Sequence, residues 1–332
     1  MLSGGFPVSR PDVSVVMATH GDAATLPAAL ASILSQEGVA LEFIVVDDGS
    51  TDGSAAILDA AARKDPRLRV VHKRNEGLTR ALIDGCALAS APWIARQDAD
   101  DVSLPGRLKA QLERARQPDA PDLVVCAAVC QSPEGAALYE VFPPQEAAAA
   151  RRKILEQGET LCPHGALWMR ADAYRAAGGY RAPFQYAQDL DLVTRLAEQG
   201  GVAAVPAVLY AFQFSPDSIS GRQGRRQAEF RRLLRACRTA RRKGESEDLW
   251  LAEAAALSAR LRARPVRPSD DYAGLYFIGC CLRRREPVLA RSYLGRALRH
   301  RPWSVPALLR WLEVGWRLVR ADAAGKGGSH AG

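Results

Sequence analysis

The chain has 332 residues, 48% hydrophobic and 25% charged, a balance that allows one large or two ordinary globular domains and excludes disordered and fibrous classes. Its net charge of +8 is unevenly divided: from Gly221 onward 25 Lys and Arg oppose 10 Asp and Glu, giving +15, while the preceding 20 and 27 give −7. An acidic front suits metal binding, and a basic back suits anionic phosphates or a solvated Arg-rich helix surface.

Asp12 to Ala18 is a β-branched apolar run that opens into polar Thr19-His20-Gly21-Asp22, the pattern of a buried strand ending in a loop. Leu26 to Gln36 predicts a helix. Leu41 to Val46 predicts a second strand, ending at Asp47-Asp48-Gly49-Ser50-Thr51-Asp52, with a helix from Ser54 to Arg63 after it. Arg69 to Val71 is a third strand, Leu78 to Ala89 a third helix, and Trp93 to Ala95 a fourth strand running into Gln97-Asp98-Ala99-Asp100-Asp101. Further on come a strand at Leu123 to Val129, an Ala/Arg-rich helix at Gln145 to Gln157, the segment His164 to Arg170, a Gly178-Gly179 turn, a helix at Leu190 to Glu198 and a strand at Val208 to Phe214. Beyond Gly221 the pattern is helical, with breaks near Gly244, Pro265 to Asp270, Pro287 and Pro302.

Alternating strands and helices predict an α/β fold with a mostly parallel sheet and helices on both faces, followed by an all-α C-terminal domain, with the boundary near Ser220. In such sheets ligands sit beyond the carboxyl ends of the strands. Both acidic runs fall directly after apolar strands, so they are expected to converge on one rim. At Asp47 to Asp52, turn and N-cap chemistry explains part of the pattern; the second adjacent aspartate leaves a carboxylate for a base or ribose. At Asp98 to Asp101, three carboxylates within four residues repel one another, and a hard divalent cation such as Mg²⁺ or Mn²⁺ relieves the conflict.

These stretches resemble the family 2 glycosyltransferases, inverting enzymes of the GT-A fold. The matching residues are Val13 to Met17, Asp47 to Asp52, Asn75-Glu76-Gly77-Leu78, Asp98 to Asp101, Gly178-Gly179-Tyr180 and Gln188 to Leu196, in the family's order over roughly Asp12 to Ser220. The resemblance implies a nucleotide-sugar donor, with a UDP-sugar expected, held by Asp47 and Asp48 with Ala18 and His20 along the same wall. It places Asn75, Gly77 and Arg80 near the donor, makes Asp98 and Asp100 the Asp-x-Asp pair with Asp100 on the cation, and makes Asp189 the general base. Inversion then needs a neutralised diphosphate and a carboxylate to take the acceptor proton. N-capping of the helix from Leu190 is the competing explanation of Asp189. The implied acceptor is a glycan or lipid-linked hydroxyl.

Three departures from the family pattern stand out: Gln188 where many relatives carry Glu, His20 where relatives often show Tyr, and Gln213-Phe214-Ser215-Pro216 where relatives commonly place a late His. His164 either lines the acceptor pocket or is a satisfied structural histidine.

In the last helix Arg310, Glu313, Arg317 and Arg320 share one face, and Leu309, Leu312, Trp316 and Val319 another. That apolar stripe is expected either to pack against Ala290 to His300 or to lie on an anionic membrane surface.

Seven cysteines without a CxxC pair fit a reducing cytosol rather than a disulfide framework or zinc site. The first ten residues lack a signal-peptide core, and no run of about 18 uncharged apolar residues occurs. The expectation is therefore a cytoplasmic protein, peripheral to the inner membrane face if the basic helices dock there. Alternatives are a metal-dependent nucleotidyltransferase and a non-catalytic nucleotide-sugar-binding scaffold. A dehydrogenase lacks its GxGxxG after the first strand, and no nucleic-acid partner is expected.

Overall fold

The computed structural model describes residues 10–214, 224–262 and 271–327. Four strands form the parallel half of a nine-stranded sheet: β1 (Val13–Thr19), β2 (Leu41–Asp47), β3 (Leu68–His72) and β4 (Trp93–Asp98), in the order β3-β2-β1-β4. Helices α1 (Leu26–Leu34), α2 (Ser54–Ala62) and α3 (Leu78–Ala87) make the crossovers that parallel pairing requires. Every residue of β1 is buried, as expected of a central strand covered on both faces.

Past β4 the sheet turns mixed. It continues through β8 (Trp168–Arg170), β6 (Leu123–Gln131), β9 (Val202–Gln213) and β5 (Val102–Ser103), with β7 (Ala137–Val141) paired to β6. β8 runs antiparallel to both β4 and β6, and β5 antiparallel to β9. The parallel expectation thus holds for the βαβ half; the other half is α/β but mixed, because its short β8 arrives from the opposite direction through a 3-10 turn, His164–Ala166.

The remaining helices of this part are α4 (Arg107–Ala115), α5 (Ala147–Arg152), which runs into a π turn at Lys153–Gln157, α6 (Ala171–Ala176) and α7 (Gln188–Gln199). Then follow α8 (Gly224–Lys243), α9 (Asp248–Arg262), α10 (Tyr272–Leu282), α11 (Pro287–His300) and α12 (Val305–Gly327).

Compactness does not divide the chain with a single cut near Ser220, a residue outside the described segments. Among the described residues one unit comprises 10–128, 141–212 and 226–262, and the other 129–140, 213–214, 224–225 and 271–327. α8 and α9 belong to the first. Their Phe230, Leu233, Leu234, Cys237, Ala254 and Leu257 cover Phe184, Tyr186 and Leu190 around the start of α7, apolar surface that would otherwise face water.

In the second unit, α12 lies against α11 through Ala307, Trp311 and Val314; Arg291 of α11 stacks on the Trp311 ring at 4.3 Å. The expectation that Leu309, Leu312, Trp316 and Val319 make this packing is corrected: all four are more than half exposed. The helix has a separate apolar stripe for the hairpin, with Ala307 and Val314 fully buried on it, which the sequence reading did not identify.

Candidate functional site

The parallel register sets the ends of β2, β1 and β4 side by side. Thr19 pairs with Asp47, and Ala18 pairs with Asp98. With neighbouring strands about 4.8 Å apart, the two acidic runs start about 10 Å from each other on one rim. The convergence expected from the sequence is present.

Hydrogen bonds join three loops there. Asp22 Oδ2 accepts the Thr19 hydroxyl at 2.8 Å and the His20 amide at 3.0 Å. The Gly21 amide donates to Ser50 Oγ at 3.1 Å and the Ala23 amide to Asp52 Oδ2 at 2.9 Å, which ties the β1 loop to the β2 loop. Asp48, buried, accepts the amides of Glu76 and Gly77 at 2.9 and 2.7 Å. Asn75 Nδ2 reaches the exposed His20 ring at 3.0 Å. Only glycine fits at position 49: its φ is +78°, and a methyl group there would lie 2.8 Å from the Asn75 amide.

Asp47 is turned into the protein. Its carboxylate accepts the Ser50 amide at 3.0 Å and meets His72 Nδ1 at 2.8 Å. Burial raises the Asp47 carboxyl, but the bonds from Ser50 and His72 outweigh it and hold the group below the usual range. The bond to Asp47, joined by Asp59 at 3.0 Å, raises His72. Asp47 therefore braces the rim, and Asp48 sets the loop that carries Asn75 and Gly77.

The second acidic run rests on a buried polar network. Arg96, fully buried on β4, donates to the Val16 carbonyl and to Asp98 Oδ1, the latter at 2.6 Å. Arg107, fully buried on α4, donates to Gln97 Oε1, Ser103 Oγ and the carbonyls of Arg96 and Gly165. Gln97 Nε2 in turn holds the carbonyls of Asp98 and Asp101 at 3.0 and 2.9 Å. The Asp98 amide donates to the Tyr210 hydroxyl at 3.2 Å, which sits so near Gly165 that a methyl group there would be 1.7 Å away. Arg107, which donates from all three guanidinium nitrogens, over-determines the loop geometry, while Arg96 leaves its buried Nε without a partner among the described residues.

A positive group among the carboxylates, inferred from the sequence as a cation, thus exists in part within the chain: Arg96 partners Asp98. Asp100 differs. Its surface stays exposed, yet crowding by the surrounding protein, then the negative charges of Asp98 and Asp22, push its carboxyl up to about 6. A carboxylate raised by its acidic neighbours is relieved by a cation. Among the described residues no cluster of three or more His, Cys, Asp or Glu side chains surrounds one point; a hard cation held on this loop would draw on few protein oxygens, with the carboxylates of Asp98 and Asp100 as candidate donors and phosphate oxygens to complete the shell.

Asp189 stands at the second position of α7, half-buried. Capping does not explain it, since Ala187 is the N-cap and no side chain makes a cap bond. Ala187 is held in the left-handed region at φ +58°, a conformation that costs a non-glycine residue about 1 to 3 kcal/mol and persists only where the surroundings impose it. Those surroundings are clear: Asp191, buried, is clamped by Arg181 and by Arg195 at 2.7 Å, while Arg195 also donates to the Gly179 carbonyl at 2.7 Å. The Gly178-Gly179-Tyr180 turn is thereby fixed to the same helix as Asp189 and Gln188, which opens the first turn.

Tyr180 carries the link onward. Its hydroxyl meets His164 Nε2 at 2.6 Å. Burial, aided by the Arg96 charge, pulls His164 down to about 4, against the opposing fields of Asp98 and Asp189; the ring is neutral at neutral pH. His164 is thus a partnered histidine within electrostatic reach of both carboxylates.

Arg80 sits on a flank of the rim. With Glu76, Gly77, Thr79, Gln185 and Arg262 it lines a cleft of about 110 Å³. Sequence reading did not single out Asp22, Arg96, Gln97, Arg107, Tyr210 or Arg262 as site residues, and it gave Tyr180 only as part of the family match. The signal for two of them was available: Arg96-Gln97 interrupts an otherwise apolar buried strand, and polar residues in such a place are the informative exceptions. The late-histidine departure falls at Gln213-Phe214, the end of β9, and at Ser215-Pro216, outside the described residues.

A family model described as glycosyl transferase family 2 matches residues 14–176. EpsE of Bacillus subtilis, assigned as a glycosyltransferase, is 33% identical over 58% of this chain and 69% of its own length. The succinoglycan biosynthesis protein ExoU of Rhizobium meliloti is 28% identical over 90% of this chain and 86% of its own; two other relatives match over 30% and 34% of theirs. Among solved structures, S. aureus TarS 1–349 in complex with UDP-GlcNAc has the same fold, with a TM-score of 0.53 at 14% identity, over 91% of this chain and 79% of the chain in that structure. Among the described residues no helix is long and apolar enough to cross a membrane.

Proposed function

The chain belongs to glycosyl transferase family 2, and we propose that it inverts configuration while moving a sugar from a nucleotide-diphosphate donor, a UDP-sugar, onto an acceptor hydroxyl in polysaccharide assembly. The observation that carries this reading is the rim itself: a loop pinned by Asp48 faces a carboxylate pair, Asp98 and Asp100, within about two strand spacings. A donor's nucleoside end and its phosphates need those two surfaces at that separation.

In this reading Ala18, His20, Asn75 and Gly77 border the nucleoside, and Arg80 extends the wall toward the phosphates. Asp98 and Asp100 hold a divalent cation, Mg²⁺ or Mn²⁺, which when bound neutralises charge on the departing diphosphate. Asp189 takes the proton of the acceptor hydroxyl. The acceptor oxygen bonds to the anomeric carbon as the bond to the diphosphate oxygen breaks, and the nucleoside diphosphate leaves. One base without a covalent intermediate inverts the centre. Asp189 lies in the first turn of α7, while the buried Arg96 and Arg107 network keeps the Asp98 loop from moving when charge shifts. His164 and Gln188 flank the acceptor side, the neutral histidine oriented by Tyr180.

Released nucleoside diphosphate, measured with UDP-, GDP- and dTDP-sugars with and without Mn²⁺, tests the reading. Turnover with at least one sugar nucleotide, abolished by chelation and by Asp189→Asn, is expected. Absence of turnover with all three, or an Asp189→Asn variant as active as the wild type, overturns it.

A further inference from the structure

Helix α12 has a second apolar stripe that no described residue covers. Val305, Leu308, Leu309, Leu312, Trp316 and Val319 fall within about 100° of helix arc at 100° per residue, and each is 43 to 64% exposed. Trp303, in the turn ahead of the helix, is 94% exposed. Of the twelve large hydrophobic side chains exposed among the described residues, seven lie in residues 303–319. Scattered surface hydrophobics need no explanation, but a contiguous stripe marks a docking surface.

The chemistry around the stripe selects the occupant. Residues 281–320 contain ten arginines against two glutamates, with no lysine or aspartate. Arg320 lies over the Trp316 ring at 3.6 Å, on the edge of the stripe. Arg310 and Arg317 bracket Glu313 at 2.7 and 3.0 Å, so that flank keeps a net positive charge. A second copy docked through the same stripe would bring like charge onto like charge. Tryptophan beside arginine, above an aliphatic row, suits the boundary between anionic headgroups and acyl chains, where ring and guanidinium each keep a polar end in water.

We propose that α12 docks the chain on an anionic phospholipid surface, with Leu312 and Trp316 at the headgroup boundary and Arg310, Arg317 and Arg320 against lipid phosphates. The inference does not depend on the sugar-transfer reading, and its test uses neither donor nor acceptor.

The full chain is mixed with vesicles of phosphatidylcholine alone or with about one-third phosphatidylglycerol, and flotation is measured across salt. Binding to the anionic vesicles, weak binding to the neutral ones and loss at high salt are expected. Leu312→Gln with Trp316→Gln changes two exposed residues, so an unchanged far-UV spectrum and Tm are expected, with at least tenfold weaker binding. Arg320→Gln alone weakens it about fivefold. Failure of the wild type to float with anionic vesicles overturns the proposal, as does a double variant that binds equally well. So does a light-scattering dimer that the double variant converts to monomer without any vesicle binding, which assigns the stripe to a second copy.

Discussion

The loops after β2 and β4 are written alike, as aspartates closing an apolar strand, but they fold into different electrostatic situations. In the first, Asp47, Asp48 and Asp52 are each spent on the chain's own donors: Ser50 and His72, the amides of Glu76 and Gly77, the Ala23 amide and Ser54. Those bonds hold Asp52 at about 2. In the second, Arg96 compensates Asp98, while Asp100 is pushed up to about 6 by crowding and acidic neighbours. The same number of aspartates after a strand, three in each run, therefore gives a brace in one loop and an unmet demand for positive charge in the other. A brace contributes to stability; an uncompensated carboxylate costs stability and is available for binding.

Substitutions that separate these roles should break the comparison if it is wrong. The largest effect is expected on turnover: Asp100→Asn and Asp189→Asn each lower transfer about 10²- to 10⁴-fold, with Tm unchanged or slightly raised for Asp100→Asn because a destabilised charge is removed. Transfer assays beside thermal melts check both halves. Next, Asp48→Ala leaves two amides of the β3–α3 loop without their acceptor and should cost about 2 to 4 kcal/mol, read from urea unfolding. An Asp48→Ala protein as stable as the wild type would show that this loop is not a brace.

A smaller effect belongs to Arg107→Leu, which removes the donors holding the Asp98 loop and fills only part of the vacated volume with apolar atoms. It orphans the Gln97 and Ser103 acceptors, and an unfolding cost of about 2 to 3 kcal/mol with weaker donor binding is expected. The smallest is a pH effect. His72 is raised above its ordinary value by Asp47 and Asp59, so its stabilisation is complete below about 6.5 and is lost as pH rises through the raised value. His72→Gln should therefore be less stable than the wild type by up to about 1 kcal/mol at pH 6, the side chain being 42% exposed, with the gap closing at higher pH. A gap that widens with pH would reverse the assignment of the Asp47–His72 pair.

Much of the architecture could be read from the chain alone. β-branched runs separated by helical periods predict β1 to β4 with their crossovers, because side-chain period is a local property. The same reading located both acidic loops at strand ends and therefore on one rim. Antiparallel β8, the two-residue β5 and the place of α8 and α9 in the first unit lay beyond it, since three- and two-residue strands have no period, and a helix's partner is chosen by whichever apolar surface needs cover.

Sequence by itself determined the α/β alternation, the family, and the candidates Asp48, Asp98, Asp100 and Asp189, all of which depend on residue type and order along the chain. Tertiary structure alone decided which aspartates were already answered. Arg96 meets Asp98 two residues away but is held in place by the Val16 carbonyl 80 residues off, Arg107 reaches the Gly165 carbonyl across 58 residues, and α12 turns Ala307 and Val314, not Leu312 and Trp316, toward its neighbour. Charge compensation and burial are sums over spatial neighbours, and those neighbours are set by packing of the whole unit rather than by any local stretch of the chain.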